Sequence, residues 1–442
     1  MLFAAAVVVH GLLALTVVTP VDWDPAYYRQ VALNIARGDG AVTQSLLFYG
    51  YIPEALPFAA DLHWMPLPSR VLVPGLMVWE HGDQLVTVLL AATWGPLAWS
   101  LGRELGGDGL TAGALAVFGG GYARFLSTPD SIALYGCLAG VALVLLARDR
   151  LLTAAVVLSA AALTRGDGVL LGPCLAAPLV LRRNPRALML LVAPLATWAA
   201  WTVRCDIVGG VGWSLSRELM ASTLHYPDFV LGIAGAPSVG GRALHAVLEL
   251  PGTAKVALVA SAGLLPWPAC WALFRAPAWA RGLAIYAVVM PLAALLLAPA
   301  VAESGTVFRS GSALFVGGCA LAGVGFDRMC TWRGYPRVLP VLAFAVSSLA
   351  LAGFNTHLVP SVAMDCPEGV SPVFATRPLL CDRPALLLPA GLPPQRIHEL
   401  SNRFGIEHAW LTPSDGMAWG AETPMLVPVD TLSDLDGPPS PR

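Results

Sequence analysis

Apolar runs of membrane length recur along the chain as far as residue 354. They lie near residues 2–19, 85–101, 109–122, 131–147, 151–163, 168–181, 187–203, 256–274, 282–301, 310–326 and 338–354. A helix that crosses the hydrocarbon core needs roughly 17–25 residues, and in lipid only helices or closed barrels satisfy their own backbone groups. The pattern therefore predicts a mainly α-helical, polytopic transmembrane bundle of roughly eleven spans. Several runs are short, and 151–163 with 168–181 can also be read as a re-entrant hairpin. Losing both leaves every later segment on the same side. The first run has neither a basic start nor an A-x-A-like cleavage site, so it reads as a retained helix rather than a signal peptide. His10 in its middle reads as a packed or hydrogen-bonded histidine, with a proton relay as the alternative.

The polar segments assign the sides. With the N-terminus in the cytoplasm, the inner loops hold Arg103, then Arg148 and Arg150, then Arg182, Arg183 and Arg186. Arg275 with Arg281, and Arg328, Arg333 and Arg337, continue the series. Short arginine-rich loops of this kind stay inside. The outer segments are long, at about 20–84, 204–255 and 355–442, and they mix arginine with acids. Domain organisation follows: residues 1–354 form the transmembrane domain, and residues 355–442 form a small α/β extracytoplasmic domain with a disordered Pro/Ser end. In that tail Ala385–Leu388 reads as strand, Pro394–Phe404 as helix and Glu407–Thr412 as a second apolar stretch. Cys366 and Cys381 both lie there, on the oxidising side in this topology. They are candidates for a disulfide, with two buried free thiols as the alternative.

Composition narrows the function classes. Of 442 residues, 56% are apolar and 12% charged, about half the charge of a soluble domain. The net charge of −2 offers no basic face for nucleic acid. Lys255 is the only lysine, a bias that suggests a GC-rich bacterial genome and hence the inner membrane. No H-x-x-x-H pair unites His63, His81, His225 or His245, so no cofactor is expected, with an unsupported metal site as the alternative. No nucleophile elbow is present, and the glycine-rich stretches lack the G-K-S/T of a phosphate loop.

The candidate chemistry begins where the chain leaves the first span. Asp22 and Asp24 emerge at the outer surface, followed by Tyr28, Ala32, Ile35 and Ala36 at helical spacing and by Gly38 and Gly40 as a stop. This predicts an amphipathic helix lying on the bilayer, with helix capping as the plain alternative role for an aspartate. A second amphipathic stretch, Leu215–Leu224, is expected in the 204–255 loop. An acid at headgroup depth can serve as a base for a hydroxyl, and a cation there can hold a lipid phosphate. Asp24 and Asp130 are the outer-edge acids, and Arg165, Arg204, Arg217 and Arg309 are the outer-edge cations able to fork onto phosphate. Headgroup contact or snorkelling is the alternative for each arginine.

Several of these segments also resemble, in order, the GT-C type membrane glycosyltransferases, which include protein O-mannosyltransferase and aminoarabinose transferase relatives. Asp24-Pro25-Ala26-Tyr27-Tyr28 looks like their D-E-x-Y-Y motif after the first span, with Pro25 in place of the second acid. His63-Trp64-Met65-Pro66-Leu67 resembles their H-x-P-L element, and Ser127–Ser131 resembles the outer loop that holds their second acid. Leu163-Thr164-Arg165-Gly166-Asp167-Gly168 is similar to their L-T-R-x-D/E-G stretch. Trp198 to Arg204 is similar to their W-x-x-R segment, and Phe308-Arg309 to the arginine opening a late span. The resemblance covers residues 1–330. It implies an inverting glycosyltransferase with Asp24 and Asp130 as catalytic carboxylates, and with Tyr28, His63, Arg165, Arg204 and Arg309 around the substrate; Asp22, in compensation for Pro25, and Arg217, as a further outer-edge cation, are added as substrate-binding candidates. The donor would be a polyprenyl-phosphate sugar, and the acceptor a lipid, glycan or protein at the periplasmic face. Two other classes stay open. A transporter would place ionisable groups at mid-membrane and repeat its helices. A non-catalytic scaffold would retain the fold alone, and Pro25 speaks for it.

Overall fold

The computed structural model describes residues 1–16, 23–46, 55–62, 64–209, 244, 247–263, 265–266, 268–269, 276–297, 306–358, 373–375, 385–387, 394–411 and 425–428. The chain is mainly helical. Its first helices are α1 (Leu2–Ala14), α2 (Trp23–Arg37), α3 (Leu67–Val78), α4 (Gly82–Ala92), α5 (Trp94–Glu104) and α6 (Leu110–Phe118). They are followed by α7 (Ser131–Ala147), α8 (Leu151–Ala162), α9 (Gly168–Val180) and α10 (Leu188–Gly209). The later ones are α11 (Leu250–Ala260), α12 (Ala278–Leu297), α13 (Thr306–Ser310), α14 (Ser312–Arg333) and α15 (Val338–Leu358).

Among the described residues, three helical stretches are long and apolar enough to cross a membrane: Gly82–Glu104, Pro185–Gly209 and Ser312–Arg333. The other apolar helices are shorter, at 10–17 residues, so helix length alone does not yield the expected span count. One expected run breaks differently. Residues 256–274 do not form a single helix, because α11 ends at Ala260 and the chain turns through Ala262 (φ 49°) and Gly263 (φ 71°).

Helix α7 is the axis of the bundle, packed by α4, α5, α8 and α14. Its sequence is apolar all round and most of its residues are buried, as expected of a helix enclosed by others. Gly136 lets it approach α5: a Cβ there would lie 2.2 Å from the Trp94 ring, whose Nε1 donates to the Ala133 carbonyl at 3.1 Å. Small residues at such crossings replace the hydrophobic drive that lipid cannot supply.

The charged groups collect at the two ends of this bundle. At one end Arg148 donates to Glu104 (3.2 Å) and Ser100 (3.0 Å), and Arg337 pairs with Asp108. The loops after α5, α7 and α14 therefore meet, as the alternation of sides requires. Asp130, at the start of α7, lies at the other end. The 17 residues of α7 separate the two ends by roughly 26 Å at 1.5 Å per residue. That is close to the thickness of a hydrocarbon core, about 30 Å.

Helix α2 forms where the sequence predicts it, but its apolar face is covered by protein rather than lipid. Tyr27, Tyr28, Val31, Ala32 and Ile35 pack with Leu72, Val73 and Leu76 of α3 and Val86 of α4. Arg29 fastens the opposite edge through Asp83 at 2.6 Å and the Glu80 carbonyl at 3.1 Å. Helix α3, an apolar stretch too short for a span, is what takes the place expected of the bilayer.

The outer loop supplies strands β1 (Val42–Thr43), β2 (Ser45–Leu46) and β3 (Phe58–Ala59), and β1 pairs antiparallel with β3. The tail adds β4 (Val373–Ala375), β5 (Ala385–Leu387), α16 (Pro394–Phe404), β6 (His408–Leu411) and β7 (Met425–Pro428). These form a five-stranded sheet in the order β2-β5-β4-β6-β7, parallel except for β7. The strand, helix and apolar stretch read from the tail sequence correspond to β5, α16 and β6. The unexpected member is β2, which the first outer loop contributes. That loop is also bound to α2: Asn34 donates to the Val42 carbonyl (2.8 Å) and Gln44 (2.9 Å), and Thr43 donates to Gln30 (2.8 Å).

Candidate functional site

Four segments far apart in sequence bring their polar residues together at the Asp130 end of the bundle. Asp24 lies in the first turn of α2, and Tyr28, four residues on, shares its face. Asp130 occupies the N-cap position of α7, yet its side chain makes no capping hydrogen bond. Its Oδ2 instead accepts from Arg309 Nε at 3.0 Å and its Oδ1 from Ser131 at 2.9 Å. Arg309, on α13, also places Nη1 3.5 Å from Asp24 Oδ2. One guanidinium thus bridges both acids. The two are not equivalent: the Asp130 side chain is fully buried, whereas Asp24 is 19% exposed and lies farther from Arg309.

Arg165 arrives from the turn between α8 and α9. Its Nε donates to Asp167 at 2.9 Å, Nη1 to Ser131 at 3.3 Å and Nη2 to Ser310 at 3.3 Å. The second oxygen of Asp167 accepts from the Tyr286 hydroxyl at 3.1 Å, and Tyr286 lies 2.9 Å from the Tyr135 hydroxyl. Burial against Phe308 supports α13 as well, because the Tyr122 hydroxyl donates to the Phe308 carbonyl at 2.8 Å and the two rings lie 4.5 Å apart.

The electrostatics follow from burial and these pairings. Burial pushes the Tyr28 phenol well above its ordinary pKa; Asp24 and Asp130 add to the shift, and Arg165 and Arg309 oppose it. Tyr28 is therefore a neutral donor at any physiological pH. For Arg165 burial works against the charge, but Asp167 and its other neighbours outweigh it and raise the pKa. Arg165 therefore stays cationic, in a cluster that sets two arginines against three carboxylates.

A second polar cluster lies on the Tyr27 side of α2. Asp61, at φ 59°, donates its backbone N–H to the Tyr27 hydroxyl at 2.6 Å, and its Oδ2 is 2.5 Å from Arg70. Burial raises the Asp61 pKa, with Arg70 pulling it back. Arg204 donates to the carbonyls of Asp61 (3.1 Å) and Ala60 (3.4 Å), so its hydrogen bonds go to the outer loop and not to the Asp24 cluster. Trp64 stacks on Tyr27 with centroids 4.2 Å apart.

Of the residues singled out from the sequence, Asp24, Tyr28, Asp130, Arg165 and Arg309 converge. Arg204 stands in the neighbouring cluster. Asp22, His63, Arg217, Cys366 and Cys381 lie outside the described residues, as does Leu215–Leu224. Among the described residues, no three His, Cys, Asp or Glu side chains are grouped to hold a metal ion. Sequence reading missed Ser310, Tyr135 and Tyr286. It gave no role to Asp167 and Ser131, although both stand inside segments it singled out, Leu163–Gly168 and Ser127–Ser131.

No family model and no curated protein matches this sequence. Among solved structures, the chain is similar to the oligosaccharyltransferase of Archaeoglobus fulgidus in complex with zinc and sulfate. That match has 13% identity and a TM-score of 0.46, and covers 80% of this chain and 53% of that one. The archaeal oligosaccharyltransferase AglB from the same organism, with an inhibitory peptide and a dolichol-phosphate, matches at 14% identity with a TM-score of 0.47. It is covered over 56% of its length, against 80% of this chain. The chain thus spans about half the length of these proteins.

Proposed function

We propose that this protein is a GT-C type membrane glycosyltransferase that moves a sugar from a polyprenyl-phosphate carrier to an acceptor on the periplasmic side of a bacterial inner membrane. The observation that carries the reading is the single buried Arg309 bridging Asp24 and Asp130, with Arg165 alongside, at the end of an apolar bundle of membrane thickness. Asp24, partly exposed and held at the longer distance, is the general base. It takes the proton of the acceptor hydroxyl as that oxygen bonds to the sugar C1 and the C1–O bond to phosphate breaks. The leaving group departs as polyprenyl phosphate, with its growing charge on Arg309 and Arg165. Arg309 keeps Nε on Asp130 and exchanges its Nη1 contact with Asp24 for the phosphate, so donor binding itself frees the base. Charge-assisted contacts of this kind are among the strong ones. Asp130 is then the anchor of Arg309 rather than a proton acceptor. The tail, residues 355–442, lies on the same periplasmic side and shapes the acceptor region.

The test uses sealed right-side-out vesicles that carry the full-length protein and are given synthetic polyprenyl-phosphate sugars. Release of free polyprenyl phosphate is expected with at least one sugar, none is expected with nucleotide sugars, and external protease should cleave the tail. Turnover of nucleotide sugars instead, or a tail protected in intact vesicles, would contradict the donor class or the sidedness.

A further inference from the structure

We infer that Asp167 and Tyr286 are positioning residues that aim the fork of Arg165 at the donor phosphate. The inference rests on the proposed lipid-phosphate reading of the site and asks how one of its cations is held. A carboxylate facing an arginine commonly closes a two-point pair that uses both of its oxygens. Asp167 does not do so. Its Oδ1 takes Arg165 Nε at 2.9 Å, while its Oδ2 takes the Tyr286 hydroxyl at 3.1 Å. The outer edge of the guanidinium is thereby left to two hydroxyls, Ser131 and Ser310, each at a long 3.3 Å. Ser131 itself donates to Asp130 and Ser310 to the Thr306 carbonyl at 2.7 Å. Neither serine needs Arg165 for its own proton.

The Tyr286 proton goes to Asp167, so the 2.9 Å contact with Tyr135 is a hydrogen bond donated by Tyr135. The two phenols form a directed chain that ends on the carboxylate, in which each bond polarises the next. Both tyrosines are fully buried, and they come from two packed helices, α7 and α12. Tyr286 thus occupies the oxygen that would otherwise swing onto the Nη edge of Arg165, and it keeps that edge turned towards Ser131 and Ser310.

The experiment measures binding of undecaprenyl phosphate, the chemistry of the leaving group, to the purified full-length protein in detergent, with undecaprenol as the control. Arg165→Ala should weaken binding of the phosphate at least tenfold, about the loss of one charged hydrogen-bonding partner. Tyr286→Phe keeps the ring and should weaken it about threefold to tenfold, the range for a neutral hydrogen bond. In an Arg165→Ala background Tyr286→Phe should change binding by less than about twofold, because coupled residues are not additive. Undecaprenol binding should not move in any variant. Asp167→Asn, which retains an acceptor for Nε, should show the same dependence on Arg165 and serves if Tyr286→Phe fails to fold. If Arg165→Ala weakens phosphate binding but Tyr286→Phe does not, or if their effects simply add, the positioning role is overturned while the site reading stands. If Arg165→Ala leaves phosphate binding unchanged, the site reading itself fails.

Discussion

Asp24→Asn should lower sugar transfer by ~10²–10⁴-fold, the usual contribution of a general base, while the protein still inserts and folds. The amide has nearly the same shape and keeps an acceptor oxygen for Arg309, so a capping or packing role would survive the change at a cost of a few tenths of a kcal/mol. A catalytic role would not, because the amide cannot take the acceptor proton. Asp24 sits 19% exposed at 3.5 Å from Arg309, so its carboxylate is reachable from outside the cluster. Asp22→Asn, outside the D-x-x-Y-Y alignment, is the comparison and should cost less activity than Asp24→Asn. Initial rates with a verified donor decide the matter. Full activity in Asp24→Asn would make the carboxylate structural.

In the proposed mechanism Arg309 carries a larger burden, since it would serve both fold and chemistry. Arg309→Ala strands the fully buried Asp130 carboxylate, and removing one partner of a buried pair costs about 3–5 kcal/mol. The loss should appear as a large drop in the thermal midpoint as well as in activity. Adding Asp130→Asn to Arg309→Ala removes the stranded charge and should recover most of the stability but none of the activity. Arg309→Lys separates the two roles differently. An ammonium can stay beside Asp130, but it cannot hold Asp130 and face the Asp24 pocket through separate nitrogens as the fork does. That variant should fold and still lose ~10²–10³-fold in turnover, the scale for losing one preorganised donor to a developing charge. If Arg309→Lys were fully active, the bridging geometry would have no part in catalysis.

Much of this site was legible in the sequence, and the reason is topological. Asp24, Asp130, Arg165 and Arg309 each follow or precede an apolar run of membrane length, so counting crossings puts all of them at one end of the bundle. In the fold Arg309 joins Asp24 to Asp130, and Arg148 meets Glu104 at the opposite end of the bundle. Arg204 shows where the reasoning stops. Crossing parity assigns a side but not a partner, and its guanidinium goes to the carbonyls of Ala60 and Asp61. Tyr135 and Tyr286 were invisible for another reason. A tyrosine within an apolar run has no spacing signal, and only the packing of α7 on α12 shows that each hydroxyl has a partner. Helix α2 was read correctly as amphipathic, but amphipathicity does not say whether lipid or protein covers the apolar face; here α3 covers it. The strand β2 is too short at two residues to show period-2 alternation.

The most direct measurement is a structure of the full-length protein with undecaprenyl phosphate bound in lipid nanodiscs. The account predicts a phosphate within hydrogen-bonding distance of Arg309 and Arg165, Arg309 Nε still on Asp130, and Asp24 released from Nη1. A lipid phosphate bound elsewhere on the bundle, with the Asp24–Arg309–Asp130 bridge unchanged and closed to the membrane, would contradict it.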